Sequence, residues 1–196
     1  MHKNADTVIV LDFETTGLSP TQGNRAIEIG AVLLENGIVI ATFQKLMYPG
    51  FRINSFIENY TGITNQMLKR AATCEEVMAE FAQFIGDHNL VAHNASFDKR
   101  FLDNEFSLIN HDYPGNFACS MLIARRMYHR APDHKLGTLV RYHRIKNDGV
   151  FHRALDDATL TSKLWLKMIE DVKLDYSTEQ ITFLQMQEIA KKKIRA

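Results

Sequence analysis

Little in the sequence marks a secreted, fibrous or membrane-borne chain. Only two cysteines occur in 196 residues, Cys74 and Cys119, and they fit no CxxC or zinc arrangement. That excludes a disulfide framework and leads us to expect reduced thiols in a cytoplasmic protein. Four prolines and ten glycines, with no low-complexity block, exclude wholesale disorder. No stretch nears the roughly 18 apolar residues of a membrane helix, and Met1–Thr7 is too polar for a signal peptide, so no membrane partner is expected. An excess of one charge is also missing: 23 Lys and Arg face 23 Asp and Glu. This argues against a polycation that coats nucleic acid but leaves room for a local basic patch. Neither a GxxxxGK[ST] loop nor GxGxxG occurs, so binding of nucleoside triphosphates or dinucleotides has no support.

What is present is a chain 45% apolar, long enough for one domain with a substantial core. Val8–Phe13 is a β-branched apolar run that reads as a buried strand. Ala26–Leu34 and Ile38–Met47 are two more, and Asn36-Gly37 between them is a strong hairpin signal, so they should be antiparallel neighbours. Helical spacing then appears at Asn54–Tyr60, Asn65–Ala71 and Glu75–Ile85, the last with Thr73 as its cap. Asn89–His93 reads as a short strand, Ser96–Phe106 as a helix, and Phe117–Ala124 as a strand passing into a helix. Gly137–Tyr142 is a short helix, and a long one runs from His152 to Val172 with Ala154, Ala158, Thr161, Trp165, Met168 and Val172 on its buried stripe. Ser177–Ile194 is expected to be an extra helix with a Ser177/Gln180 capping box. Strands followed by alternating helices and strands imply an α/β layered fold, a mixed sheet covered by helices.

The carboxylates carry the chemistry. Asp12 and Glu14 end the first strand, and a period of two aims both side chains the same way. A lone Asp-x-Glu is more often a solvated turn. Asp98 changes the weighting because it opens the helix after Asn89–His93, and so does Asp157, which opens the last long helix. Layered α/β folds put their crevices at such ends. Four acids from three elements would make an oxygen-rich site for Mg²⁺ or Mn²⁺. Five helical steps separate His152 from Asp157 by about 140°, so His152 is expected in the loop before the helix, free to act as a general base.

Asp12-Phe13-Glu14-Thr15-Thr16-Gly17, His93-Asn94-Ala95-Ser96-Phe97-Asp98 and His152-x-x-x-x-Asp157, in that order, resemble the three motifs of the DEDDh 3′–5′ exonucleases, most closely the proofreading exonucleases of bacterial replicative polymerases. Ile27-Glu28-Ile29-Gly30, Thr61-Gly62-Ile63-Thr64, and Ala124-Arg125-Arg126 followed by Lys135-Leu136-Gly137 agree with that likeness, which spans Thr7 to about Val172. One departure is Cys119-Ser120, where many relatives have Asp-Thr. The resemblance implies a ribonuclease-H-like fold, a five-stranded mixed sheet with one antiparallel strand. It implies an exonuclease domain over residues 1–176, leaving 177–196 as a C-terminal helix and basic tail.

The resemblance also implies two divalent cations, with Asp12 bridging them, Glu14 and Asp157 completing one site and Asp98 supporting the other. His152 would take the proton from water, releasing nucleoside 5′-monophosphates from a 3′ end. Thr15, Thr16, Gly17 and Leu18 would meet the terminal nucleotide with amides, hydroxyls and an apolar wedge, and His93 would reach sugar or phosphate. Spacing rates Phe97 equally as a stacking face and as core packing, and the resemblance favours the stacking face. Arg125–Arg153 carries eight Arg or Lys against Asp133 and Asp148, a track for a phosphate backbone.

Single-stranded DNA is the favoured substrate. The rivals are an RNA 3′-end trimmer resembling oligoribonuclease and an accessory subunit bound to a DNA polymerase. For the latter, 177–194 could be a docking helix, although the short tail favours a free-standing enzyme.

Overall fold

In the computed structural model, which describes residues 3–147 and 152–192, the sheet grows outward from one strand. β1 (Val8–Thr15) is buried on both faces, as its near-continuous apolar run requires. Val8 and Val10 enter one core, while Ile9, Leu11 and Phe13 enter the other. β2 (Ala26–Glu35) and β3 (Ile38–Tyr48) form the expected hairpin, with Asn36 at φ 51° and Gly37 at φ 77° making the left-handed turn. β2 runs antiparallel to both β1 and β3. β5 (Leu90–Ala92) and β6 (Phe117–Cys119) extend the sheet parallel to β1.

The order is β4-β3-β2-β1-β5-β6, six strands where five were expected. The extra one, β4 (Ala72–Thr73), is only two residues beside the end of β3. Its brevity explains why alternation could not reveal it. The single antiparallel strand expected is β2.

Helices cover both faces. α3 (Cys74–Ile85), started by a Thr73/Glu76 capping box, and α4 (Ser96–Leu108) lie over one. α5 (Ser120–Met127), α7 (Ala154–Tyr176) and α8 (Phe183–Lys191) lie over the other. The shorter α1 (Ser55–Thr61) and α2 (Asn65–Leu68) surround the Thr61–Thr64 turn, and α6 (Leu136–Tyr142) precedes the loop to α7. The whole expected stripe of α7 is buried, with Trp165 donating its indole N–H to the Ala5 carbonyl at 2.8 Å.

The C-terminal helix starts later than expected. Ser177 is the left-handed cap that ends α7, at φ 49°, and the capping box is Thr182/Gln185. Ala5 donates its N–H to the Ile181 carbonyl at 2.9 Å, which draws 178–182 along the N-terminal segment before the helix begins. Phe183, Met186 and Ile189 then pack into the core that holds Trp165. Residues 193–196, the end of the expected basic tail, and Asp148 lie outside the described residues.

Candidate active site

Asp12 and Glu14 continue the Val8–Val10 stripe, so they project on the face covered by α7. Two contacts bring the other acids to them. Phe13, between the two, donates its backbone N–H to Asp98 Oδ1 at 3.3 Å, reaching 85 residues ahead. Asp98 lies in the first turn of α4, where a helix N-terminus favours negative charge. Asp157 accepts the His152 backbone N–H at 2.8 Å and lies in the first turn of α7. Glu14, His152 and Asp157 offer ligand atoms all within 4.8 Å of one another. All five expected residues line one cleft of about 390 Å³.

Electrostatics sets the character of this cleft. Withdrawal from water, and then the charges of Asp98, Glu14 and Asp157, push the Asp12 carboxyl far above the usual carboxylate range. Glu14 is pushed up to about 8 by burial and then by Asp157, Glu28 and Asp98, with Arg153 opposing. Burial likewise raises Asp98 and Asp157, against hydrogen bonds that favour their charged forms. Four carboxylates held together this way are a poor resting state for protein alone and a good donor set for hard divalent cations. The residues therefore fit the metal ions expected of them.

His152 sits in the loop, as expected, at φ 67°, a left-handed conformation in which His is among the less disfavoured side chains. Its ring packs on Tyr60 at 4.2 Å between centroids. Tyr60 was not among the expected site residues. It lies in the last turn of α1, just before Thr61, remains 52% exposed and lines the cleft. Burial, and after it the charges of Glu14, Asp157 and Asp12, raise its phenol, which places it in the field of the acids. Lys135, Leu136 and Gly137 also line the cleft.

The other nucleotide-contact candidates divide. Phe97 is half-buried, 5.1 Å from the Phe101 ring, and also lines the cleft. His93 lines the cleft as well, but both ring nitrogens are engaged: Nδ1 with Ser120 Oγ and Nε2 with the His134 carbonyl, each at 2.9 Å. Only Nε2–H can donate to that carbonyl, which fixes the tautomer. Burial lowers its pKa to about 4. In this arrangement His93 ties the end of β5 to the His134–Lys135 segment, with both ring nitrogens engaged within the protein. Ser120, at the departure from the common Asp-Thr, thus supplies a hydroxyl that holds His93.

Thr15, Thr16, Gly17 and Leu18 lie beyond the lining residues. Thr15 Oγ1 donates to the Gly17 carbonyl at 2.7 Å, and Thr16 Oγ1 accepts the Arg25 N–H at 3.0 Å, so both hydroxyls serve the turn. A side chain at Gly17 would collide with Asn24, and Leu18 stands out, 77% exposed. The basic run is not one continuous track: Lys135 faces the cleft, whereas Arg153 is occupied by Glu28.

Fold and site together define a nuclease-type carboxylate centre on a ribonuclease-H-like sheet. An exonuclease family model, RNase_T, matches residues 9–165. The DNA polymerase III subunit epsilon of Aquifex aeolicus is 34% identical over 175 residues, covering 87% of this chain and 84% of its own. A PolC-type DNA polymerase III of Halalkalibacterium halodurans is 39% identical over 164 residues, yet this chain spans only 11% of that polymerase. Among solved structures, exonuclease X in complex with 5′ overhanging duplex DNA superposes with a TM-score of 0.75 at 25% identity, over 93% of this chain and 99% of its own. The nuclease domain of 3′hExo, a DEDDh family member bound to rAMP, shares the fold with a TM-score of 0.71 at 24% identity, over 85% of this chain and 92% of its own. The chain belongs to this exonuclease family, as a DEDDh-type 3′–5′ exonuclease.

Proposed function

We propose that this exonuclease hydrolyses single-stranded DNA from its 3′ end, one nucleotide at a time, using Mg²⁺ or Mn²⁺ held by Asp12, Glu14, Asp98 and Asp157. The observation that carries the reading is the convergence of these four raised carboxylates on one cleft beside His152. When bound, a pair of divalent ions supplies Lewis-acid stabilisation of the attacking and leaving oxygens of a phosphodiester.

The chain's own residues do the rest. Asp12 and Glu14 from β1, Asp98 from the first turn of α4 and Asp157 from the first turn of α7 would hold the ions. His152 stands on the rim, its backbone tied to Asp157 and its ring on Tyr60, and takes the proton of the attacking water. Tyr60 and the cleft side of Phe97 offer rings for the terminal sugar and base, a contact that any base can make. Lys135, which lines the cleft, brings positive charge to which a phosphate could bind. Leu18, exposed just past the end of β1, would add an apolar wedge for the terminal nucleotide.

DNA is favoured over RNA because relatives at 34–39% identity are a polymerase III epsilon subunit and PolC-type polymerases. RNA is the second reading, favoured by the structural neighbour bound to rAMP. A DNA polymerase is the proposed protein partner, on the same relatives. Residues 1–176 would be the exonuclease domain, with 177–196 its C-terminal helix and tail. The two free thiols suit a cytoplasmic setting. Among the described residues no helix is long and apolar enough to cross a membrane.

The test is product analysis on 5′- and 3′-labelled single strands of matched DNA and RNA, with Mg²⁺, Mn²⁺ or EDTA. Metal-dependent release of 5′-mononucleotides, faster from DNA, is expected. Products ending in 3′-phosphate, or undiminished activity in EDTA, would overturn it, and faster turnover of RNA would select the second reading.

A further inference from the structure

Glu28 is buried completely, yet it stands outside the Glu14, His152 and Asp157 cluster and outside the cleft lining. It stands opposite Glu14 in the β1–β2 register and so faces α7. Its carboxylate accepts four hydrogen bonds. Oε1 takes Arg153 Nη2 at 2.8 Å and Gln44 Nε2 at 2.9 Å; Oε2 takes Arg153 Nε at 3.2 Å and the Ala154 backbone N–H at 3.1 Å. Both oxygens are therefore saturated, and the guanidinium is gripped at two points.

What Glu28 grips matters. Arg153 follows His152, and Ala154 is the first residue of α7, three before Asp157. α7 has no side-chain cap from its own sequence; the residue at its cap position is Arg153, which cannot accept a hydrogen bond. Glu28 supplies the missing acceptor and negative charge from a strand 126 residues away. Gly30, two residues on along the same face, lets the helix come down: a Cβ there would lie 2.1 Å from the Leu155 nitrogen and 2.2 Å from the Ala154 carbonyl carbon. A charged pair in this position is a weak source of stability, because desolvation opposes the attraction. Its geometric effect is strong.

We infer that Glu28 is a positioning residue: together with Arg153 it clamps the start of α7, and so fixes the placement of His152 over the carboxylates. The inference rests on the proposed role of His152, but one of its readouts does not. In the metal-free full chain, the His152 ring-proton resonance, assigned by its loss in His152→Ala, should carry a ring-current shift from Tyr60, and Tyr60→Leu should remove it. In Glu28→Gln the resonance should move towards its Tyr60→Leu position. On a single-stranded oligodeoxynucleotide with Mn²⁺, kcat should fall roughly 10–100-fold, with KM changed less than about threefold. Arg153→Met should do the same, and the double variant should be no worse than the worse single, as expected of one unit.

Should Glu28→Gln fail to fold, Arg153→Met decides by the same two readouts. An unmoved resonance with kcat within about twofold of the parent, in folded variants, would overturn the clamp. So would a loss of activity that follows the melting temperature and vanishes well below it. A parent protein without exonuclease activity would instead sink the proposed function, leaving the resonance to judge the clamp.

Discussion

His152 is anchored through its backbone and leaves its ring to the cleft, which is what a proton acceptor at a rim requires. Replacing it with Ala should lower kcat by ~10²–10⁴ while Mn²⁺ binding, followed by calorimetry, stays within about threefold. Retained turnover would move the base elsewhere. Asp12 makes the opposite prediction. It is the acid most hemmed in by other acids, so Asp12→Asn should abolish turnover yet raise the melting temperature of the metal-free protein at pH 8, since it removes a carboxyl whose ionisation the folded cluster opposes. A lower melting temperature would show that the carboxylates do not repel in the folded protein. At this scale the acids were legible because a strand's period of two and the first turn of a helix fix direction locally. Tyr60 was not: nothing around it in sequence says that a helix of seven residues will deliver its ring to a histidine 92 positions away. Glu28 was visible only as part of a family signature, and its partner Arg153 was read as one more cation in a basic run.

Elements are placed by contacts of this long-range kind. Gly30 shows the demand most sharply, because the first turn of α7 occupies the space its side chain would need, and that space is bounded by backbone. Gly30→Ala should therefore destabilise by about 1–3 kcal/mol in urea unfolding and slow turnover, since α7 must lift away from the acids. A neutral result would mean that the helix yields without cost. The hairpin was read correctly because Asn36-Gly37 specifies its turn without help from elsewhere. The C-terminal helix was misplaced for a complementary reason. Ser177 and Thr182 are each followed three residues later by Gln, so two capping boxes compete on equal local terms. Pairing of Ala5 with Ile181 decides between them by holding the first candidate out of helix. Thr182→Ala should cost about 1 kcal/mol, and Ser177→Ala less, in the same assay. Equal costs would return the cap to Ser177.

For the whole molecule, the acid cluster makes folding, protonation and metal binding one linked equilibrium. A carboxyl whose pKa is higher folded than unfolded holds its proton more tightly in the native state. Over the interval between the two values the native protein therefore binds more protons than the unfolded chain, and stability falls as pH rises. Glu14, raised from 4.5 to about 8, sets that window, and Asp12, Asp98 and Asp157 shift in the same direction. In EDTA the protein should thus be most stable near pH 5 and lose stability progressively to pH 8, by a sum on the order of several kcal/mol. Divalent cations bind the ionised cluster and release its protons, so their stabilisation should grow over the same interval. Melting curves at pH 5, 6.5 and 8, with EDTA or with Mn²⁺, check both halves. The gap between the two conditions should be small at pH 5 and widest at pH 8. A gap independent of pH would mean that the ions bind carboxylates already charged in the empty protein. The repulsion that makes these acids a metal site would then be absent.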